Sequence, residues 1–197
     1  TSGIFHFLSA GASAINVESI NMSNGSVFVD VGMTATIGGS IVSTVNSINK
    51  AGAGRLSLTG DNTFSGTVNV NQGIVNVQRS TALGSPAGQT TVRQGATLEI
   101  EQTTFGPVNI GLEQINVAGV GVSATGQYAD AIGALRNVAG TNSLAGRIGI
   151  GGDVIDLTGA TLLNGFTTSG VGIGTAAMFI NVEAGSRFIS SGDLFNN

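Results

Sequence analysis

The sequence predicts an all-β chain whose short strands stack as a parallel β-solenoid of about nine coils. Three observations carry that prediction: the composition, a period-two alternation of apolar residues, and an internal repeat. Of 197 residues, 32 are Gly and only 2 are Pro, charged residues make up 9% and hydrophobic ones 41%. The mean hydropathy is +0.33. Disordered chains show the opposite balance, low hydrophobicity with high charge, so this one buries a core. Val, Ile and Leu interleave with Ser, Thr, Asn and Gly, which suits strands joined by tight turns. Residues that fill helix surfaces are scarce.

The alternation runs along most of the chain. An apolar opening, GIFHFL at residues 3–8, precedes it and is set apart as an N-terminal segment over 1–12, a cap or an intersubunit strand. The solenoid is assigned to 13–197. Ile15 and Val17, then Ile20 and Met22, begin the alternation, and Asn24-Gly25 turns the chain. Val27, Val29 and Val31 form the next inward series, and Gly38-Gly39 a corner before Ile41. Period two means that one strand face is buried and the other wet.

The best-formed unit is residues 52–77, GAGRLSLTGDNTFSGTVNVNQGIVNV. Leu56 and Leu58 point one way, and Arg55, Ser57 and Thr59 the other. Gly60-Asp61-Asn62 turns, Phe64-Ser65-Gly66 makes a corner, and Val68, Val70, Val75 and Val77 resume the inward series. A loop with Pro86 leads to Val92, the Gln94-Gly95 corner, Leu98 and Ile100. Residues 103–132 are less regular, with Ile110, Ile115 and Val117 as strand candidates, and YADAIGAL at 128–135 is the one stretch where a short helical turn is expected. The pattern returns from Gly140 and persists to Phe188 and Ile189.

Internal comparison supports stacking. Gly60, Asn62, Phe64, Gly66, Val68 and Val70 correspond to Gly140, Asn142, Leu144, Gly146, Ile148 and Ile150, each pair 80 apart. Corner glycines recur at Gly25, Gly73, Gly95, Gly159 and Gly185, at intervals of 48, 22, 64 and 26. These approximate multiples of a period of roughly 21–26 residues, the range of solenoids. One coil cannot bury its inward residues alone. Stacked coils can, with parallel strands about 4.8 Å apart and a rod on the order of 40 Å long. An antiparallel β-sandwich is the alternative that gives similar local signals.

The motifs at 54–73 and 82–98 resemble the passenger-associated β-strand repeat of bacterial autotransporters. The matching positions are Gly54, Leu56, Leu58, Gly60, Asn62, Phe64, Ser65, Gly66, Val68, Gly73, Ala82, Leu83, Gly84, Gly95, Ala96 and Leu98. A divergent second copy covers 133–150, with Leu144 replacing the aromatic corner and Arg136 and Asn137 interrupting the alternation. The resemblance implies a single-stranded right-handed parallel β-helix on, or released from, a Gram-negative-type cell surface. It implies no catalytic residues and no cofactor. The tandem amphipathic strands of a translocator barrel are missing, so a passenger piece, a processed product or a protein that borrowed the repeat is expected, and a start at Thr1 rather than Met is compatible with a removed signal peptide or larger precursor.

Candidate chemistry is sparse. The net charge is −4 with scattered basic residues, so a nucleic-acid or anionic-membrane partner has no electrostatic basis. The absence of Cys removes disulfides and zinc–thiolate sites, and no apolar run reaches the ~18 residues of a membrane-spanning helix. His6 is the one histidine, flanked by Phe5 and Phe7 without a nucleophile elbow, and reads as a half-exposed strand residue. Asp153 and Asp156 follow Gly151-Gly152 but lack the tandem nonapeptides of calcium β-rolls. Glu99 and Glu101 share a strand face opposite Leu98 and Ile100. They read as solvated carboxylates rather than a glycosidase pair.

The expected function is therefore non-enzymatic and structural: an extracellular stalk or fibre, with copies of the same chain as end-to-end partners. The candidate intersubunit contact is Ile4, Phe5, Phe7 and Leu8, adding to a neighbour by strand addition or end stacking. The rival expectation is a monomeric adhesin fragment that binds a host receptor or a glycan through its loops.

Overall fold

The computed structural model describes residues 4–7, 12–15, 19–21, 25–42, 47–124, 130–151, 154–156, 177–192 and 194–196. Within them the chain forms strands and turns, with a 3-10 turn at Asp130. The first strands are β1 (Ile4–Phe7), β2 (Ala12–Ile15), β3 (Ser19–Asn21), β4 (Ser26–Val29), β5 (Thr34–Ile37), β6 (Ser40–Val42) and β7 (Ile48–Ala51). They are followed by β8 (Arg55–Leu58), β9 (Val68–Val70), β10 (Gly73–Val77), β11 (Gln89–Val92), β12 (Ala96–Glu101), β13 (Asn109–Ile110) and β14 (Gln114–Ala118). The last are β15 (Leu135–Ala139), β16 (Thr141–Leu144), β17 (Ile148–Gly151), β18 (Val154–Asp156), β19 (Ala177–Val182), β20 (Arg187–Ser190) and β21 (Leu194–Asn196).

Every pairing between these strands is parallel, which removes the antiparallel sandwich. The first sheet runs β1-β4-β7-β9-β11-β14-β17-β21, in strict chain order with other strands between each neighbouring pair. The second runs β18-β19-β15-β12-β10-β8-β5-β2. A three-stranded sheet, β13-β16-β20, and a two-stranded one, β3-β6, complete the set. A chain that returns to the same sheet after each circuit, one strand further along, has the arrangement of a β-solenoid.

Register gives the length of each circuit. Ile4 pairs with Ser26, Ser26 with Asn49, Asn49 with Asn69, Val68 with Thr90 and Thr90 with Ile115, offsets of 22, 23, 20, 22 and 25. Ile115 then pairs with Ile148 and Ile148 with Leu194, offsets of 33 and 46. The long circuits accommodate the segments between β14 and β15 and between β18 and β19. The loose period in the sequence is thus a constant strand frame with variable connections.

The alternation translates directly into burial. On the second sheet Ala35, Ile37, Leu56, Leu58, Val75, Val77, Leu98, Ile100, Leu135, Ile180 and Val182 all lie in the core. On the first sheet Val27, Val29, Ile48, Val68, Val70, Val92, Ile115, Val117 and Ile148 face them. Phe64, Leu144 and Phe188 fill the corner. Burying each such side chain contributes about 1.5–3 kcal/mol, realised only when the next circuit covers it. Gly73 shows why corners need glycine: its φ is 68°, and a Cβ there would lie 2.4 Å from the Gly54 carbonyl oxygen of the previous circuit.

Two expectations are corrected. Val31 does not continue the inward series: β4 ends at Val29, Met33 N donates to Asp30 O across a turn, and Val31 is 80% exposed. In the stretch expected to turn helically, 128 and 129 lie outside the described residues and Asp130 sits in a 3-10 turn, but the turn does not reach the end of the stretch. Leu135 opens β15, paired to Leu98 of β12, and there sheet pairing overrides local helix propensity. The broken alternation at Arg136 and Asn137 marks a bulge, because Ile100 pairs with Asn137 while Glu101 pairs with Ala139. Among the described residues no helix is long and apolar enough to cross a membrane.

Candidate functional site

The outer face of the second sheet carries a ladder of polar side chains. Register aligns Ser57, Asn76, Glu99, Arg136 and Asn181 across neighbouring strands. Glu99 is fully buried and lies between two guanidinium groups. Arg55 Nη1 pairs with one of its oxygens, and Arg136 Nη1 meets the other at 2.7 Å. Arg55 also reaches Glu101 at 3.1 Å, and Arg136 Nε reaches Glu183 at 2.7 Å. Asn76 Nδ2 donates to Glu101 at 3.0 Å, and Gln78 Nε2 to Asn76 Oδ1 at 2.9 Å. Burial pulls the Arg136 pKa down, but hydrogen bonding and the charges of Glu183 and Glu99 outweigh it, so the net direction is up.

Glu99 is therefore not a solvated carboxylate, as its position beside Glu101 suggests in the sequence. A buried charge is tolerated only when its lone pairs are matched, and the arginines that match it stand 44 residues before and 37 after it. The ladder ties β8, β10, β12 and β15 together in register. Its carboxylates are engaged with neighbouring side chains, an arrangement for holding circuits together rather than for approaching a sugar bond.

Two interior charges escaped the sequence reading. Lys50 follows Ile48 on the inward row and is fully buried. Its ammonium donates to the carbonyls of Ala51, Gly52 and Gln72 at 2.9, 2.7 and 3.1 Å, and burial lowers its pKa to about 8. Glu113, two before Ile115, is buried with Thr90 Oγ1 donating to it at 2.5 Å. Burial raises its pKa to about 7, against the Thr90 hydrogen bond, which lowers it. Strict period-two counting back from Ile115 and forward from Ile48 marks both positions as inward.

The repeat pairing 80 apart also has a physical basis. Asn62 accepts from Ile41 N at 2.8 Å and donates to Ala82 O at 2.6 Å, bridging the circuits on either side. Asn142 accepts from Val108 N at 2.8 Å and donates to Ala139 O at 2.7 Å. Phe64 and Leu144, two residues on from each, are both fully buried.

The remaining candidates are scattered. His6 is partly exposed, packs edge-on against Phe28 at 4.5 Å and stands 3.9 Å from Asp30. Asp153 lies outside the described residues, and no group of three metal-ligating side chains occurs among those described. Of the proposed N-terminal contact, Ile4 and Phe5 are exposed, Phe7 pairs with Val29 in the β1–β4 register, and Leu8 lies outside the described residues. Phe105, half-exposed, carries the Arg79 guanidinium 3.9 Å from its ring centre.

A groove of about 420 Å³ opens at the edge of the first sheet, between the 65–67, 86–89 and 112–114 segments. Its walls include Thr67, Gln89 and Gln114, which precede paired residues of β9, β11 and β14 and so stand in one row, with Pro86 and Leu112 at the lip.

Comparison with known proteins bears on residues 48–77, which match the family described as Passenger-associated-transport-repeat. Those limits coincide with the start of β7 and the end of β10. The adhesin BmaC autotransporter of Brucella suis biovar 1 (strain 1330) is 40% identical over 90 residues, 45% of this chain. The chain spans about 3% of that relative's length. No solved structure matches the chain. The passenger-associated repeat that the motifs resemble is thus matched over residues 48–77 of this chain, and the similarity to an autotransporter adhesin extends over 90 residues.

Proposed function

We propose that this chain is a structural, non-enzymatic segment of an extracellular adhesin-type passenger: a right-handed β-helix of about nine coils that extends binding surfaces from the cell. The observation that carries this reading is the coincidence of the repeat with one complete set of stacked strands, β7 to β10, in a fully parallel architecture. The similarity to an adhesin autotransporter supports secreted or surface localisation. Antibodies raised against the purified chain and applied to intact cells making the parent protein test it. Surface staining that is lost on mild protease treatment is expected. Staining only after permeabilisation overturns the reading.

End-to-end assembly is a second reading, favoured by β1. This strand is the outermost of its sheet among the described residues, and Phe5, which pairs with core Val27, is still 37% exposed. Another circuit stacked on β1, from a longer passenger or from a second copy, would cover the exposed Ile4 and Phe5. Electron microscopy of the purified chain distinguishes these occupants: rods that lengthen with concentration support self-assembly, and dispersed monomers at high concentration exclude it.

A further inference from the structure

The groove along the first sheet has a chemistry that narrows what it can hold. None of its nine lining residues, Ser65, Gly66, Thr67, Pro86, Ala87, Gly88, Gln89, Leu112 and Gln114, is charged. Beside it, the outer face of the sheet continues with Asn49, Asn69, Thr91 and Asn116, again neutral amides and hydroxyls in register.

These side chains are held in place by one another. Asn116 Nδ2 donates to Gln89 Oε1 at 3.1 Å, and Gln114 Nε2 donates to Asn116 Oδ1 at 2.9 Å. Asn69 Nδ2 donates to Asn49 Oδ1 at 2.9 Å. The chain Gln114–Asn116–Gln89 leaves the Gln89 amino group and the Gln114 carbonyl without a hydrogen-bond partner among the described residues. A donor and an acceptor thus belong to adjacent strands, whose backbones lie about 4.8 Å apart. Leu112, 76% exposed, adds an apolar surface at the lip beside Pro86.

From this we infer that the groove binds a neutral polysaccharide, laid across the strands along the solenoid axis. A polyol offers alternating hydroxyls and C–H faces, which match fixed amides beside an apolar lip. An anionic ligand would find no cation among the nine lining residues, although register sets Arg147 beside Gln114 at the start of the next strand, and a purely apolar one would strand the free amide groups. Because the amides are already locked to one another, little side-chain entropy is lost on binding. The row along Thr67, Gln89 and Gln114 favours an extended chain over a single sugar, through contacts that repeat at each strand. The groove's volume lies in the range of roughly 300–1,000 Å³ usual for small-ligand sites. This inference rests on the adhesin reading and assigns it a ligand class.

Affinity electrophoresis of the whole chain tests it, through gels containing dextran, galactomannan or xyloglucan and, in parallel, heparin. Retardation by at least one neutral polysaccharide is expected, with binding reduced at least tenfold in the Gln89→Ala/Gln114→Ala variant. Leu112→Ser, a change at an exposed position, is expected to weaken binding several-fold while keeping the circular dichroism spectrum, which covers the case in which the double variant misfolds. No retardation by any neutral polysaccharide, retardation by heparin alone, or unchanged binding in folded variants overturns the inference. Surface staining of intact cells is independent of these residues, so a displayed chain that fails in the gels refutes the ligand class and leaves the passenger reading standing.

Discussion

Replacing Glu113 by Gln should stabilise the protein at pH 8 and leave it nearly unchanged at pH 4. Glu113 is buried beside Thr90, and burial raises its pKa from 4.5 to about 7. In the folded chain the neutral acid is preferred, so between those values the native state holds more protons than the unfolded one. Stability from this group is therefore fully present below pH 4.5 and is lost as pH rises through 7. At about 1.4 kcal/mol per pKa unit, the full loss is about 3 kcal/mol. Gln copies the shape and neutrality of the protonated acid and can still accept from the Thr90 hydroxyl. Urea denaturation of both proteins from pH 4 to pH 8 measures the effect, and taking the difference between them cancels the other carboxylates. The difference should be near zero at pH 4 and reach about 3 kcal/mol in favour of Gln at pH 8. Parallel curves, or a variant less stable at pH 8, would refute an interior site for Glu113.

Four further outcomes follow, three from the same interior and one from the exposed Gly111. Lys50, whose pKa burial lowers to about 8, sheds its proton in the folded state before the unfolded one does, so stability should rise between pH 8 and pH 10.5. In Lys50→Met that rise, about 3 kcal/mol, should vanish from the pH dependence of the urea midpoint. Asn62→Ala removes the partners of Ile41 N and Ala82 O, and should cost about 2–4 kcal/mol by thermal or urea unfolding, since each buried group left unpaired costs about 1–3 kcal/mol. Gly146→Ala places a Cβ 1.6 Å from the Glu113 carbonyl oxygen and should cost about 3 kcal/mol or prevent folding. Gly111→Ala, whose nearest neighbour would be Pro86 at 3.7 Å, should change stability by less than ~0.5 kcal/mol.

The frame of the molecule was legible because it repeats. Leu56, Val75 and Leu98, which one row of parallel register joins, were each marked inward by alternation alone. The correspondence of Asn62 with Asn142 held because both side chains accept a backbone N–H from the preceding circuit, that of Ile41 and that of Val108. Glu99 was misread because alternation assigns a face but not what covers it. Its two arginines become neighbours only after circuits of different length are stacked. Lys50 and Glu113 fall on inward positions of the alternation, and the Gln72 carbonyl and Thr90 hydroxyl that accommodate them come from neighbouring circuits, 22 and 23 residues away. The groove left no local signal either. Thr67, Gln89 and Gln114 are ordinary turn-edge residues in sequence and become a row only through register.

The central claim is that the chain stacks on itself in parallel, one circuit per roughly 20–25 residues. Because the chain has no cysteine, paired cysteines test it without background. Asn69 and Thr91 are direct partners on β9 and β11, so the Asn69→Cys/Thr91→Cys variant should form a disulfide on mild oxidation. Adjacent strands lie about 4.8 Å apart, within the Cα separation of about 4.4–6.8 Å that a disulfide accepts. Asn49→Cys/Thr91→Cys spans two strand spacings, about 9.6 Å, and should stay reduced. Efficient closure of the first pair and not the second is the predicted result. Closure of the second pair, or equal behaviour of the two, would contradict the stacked parallel register.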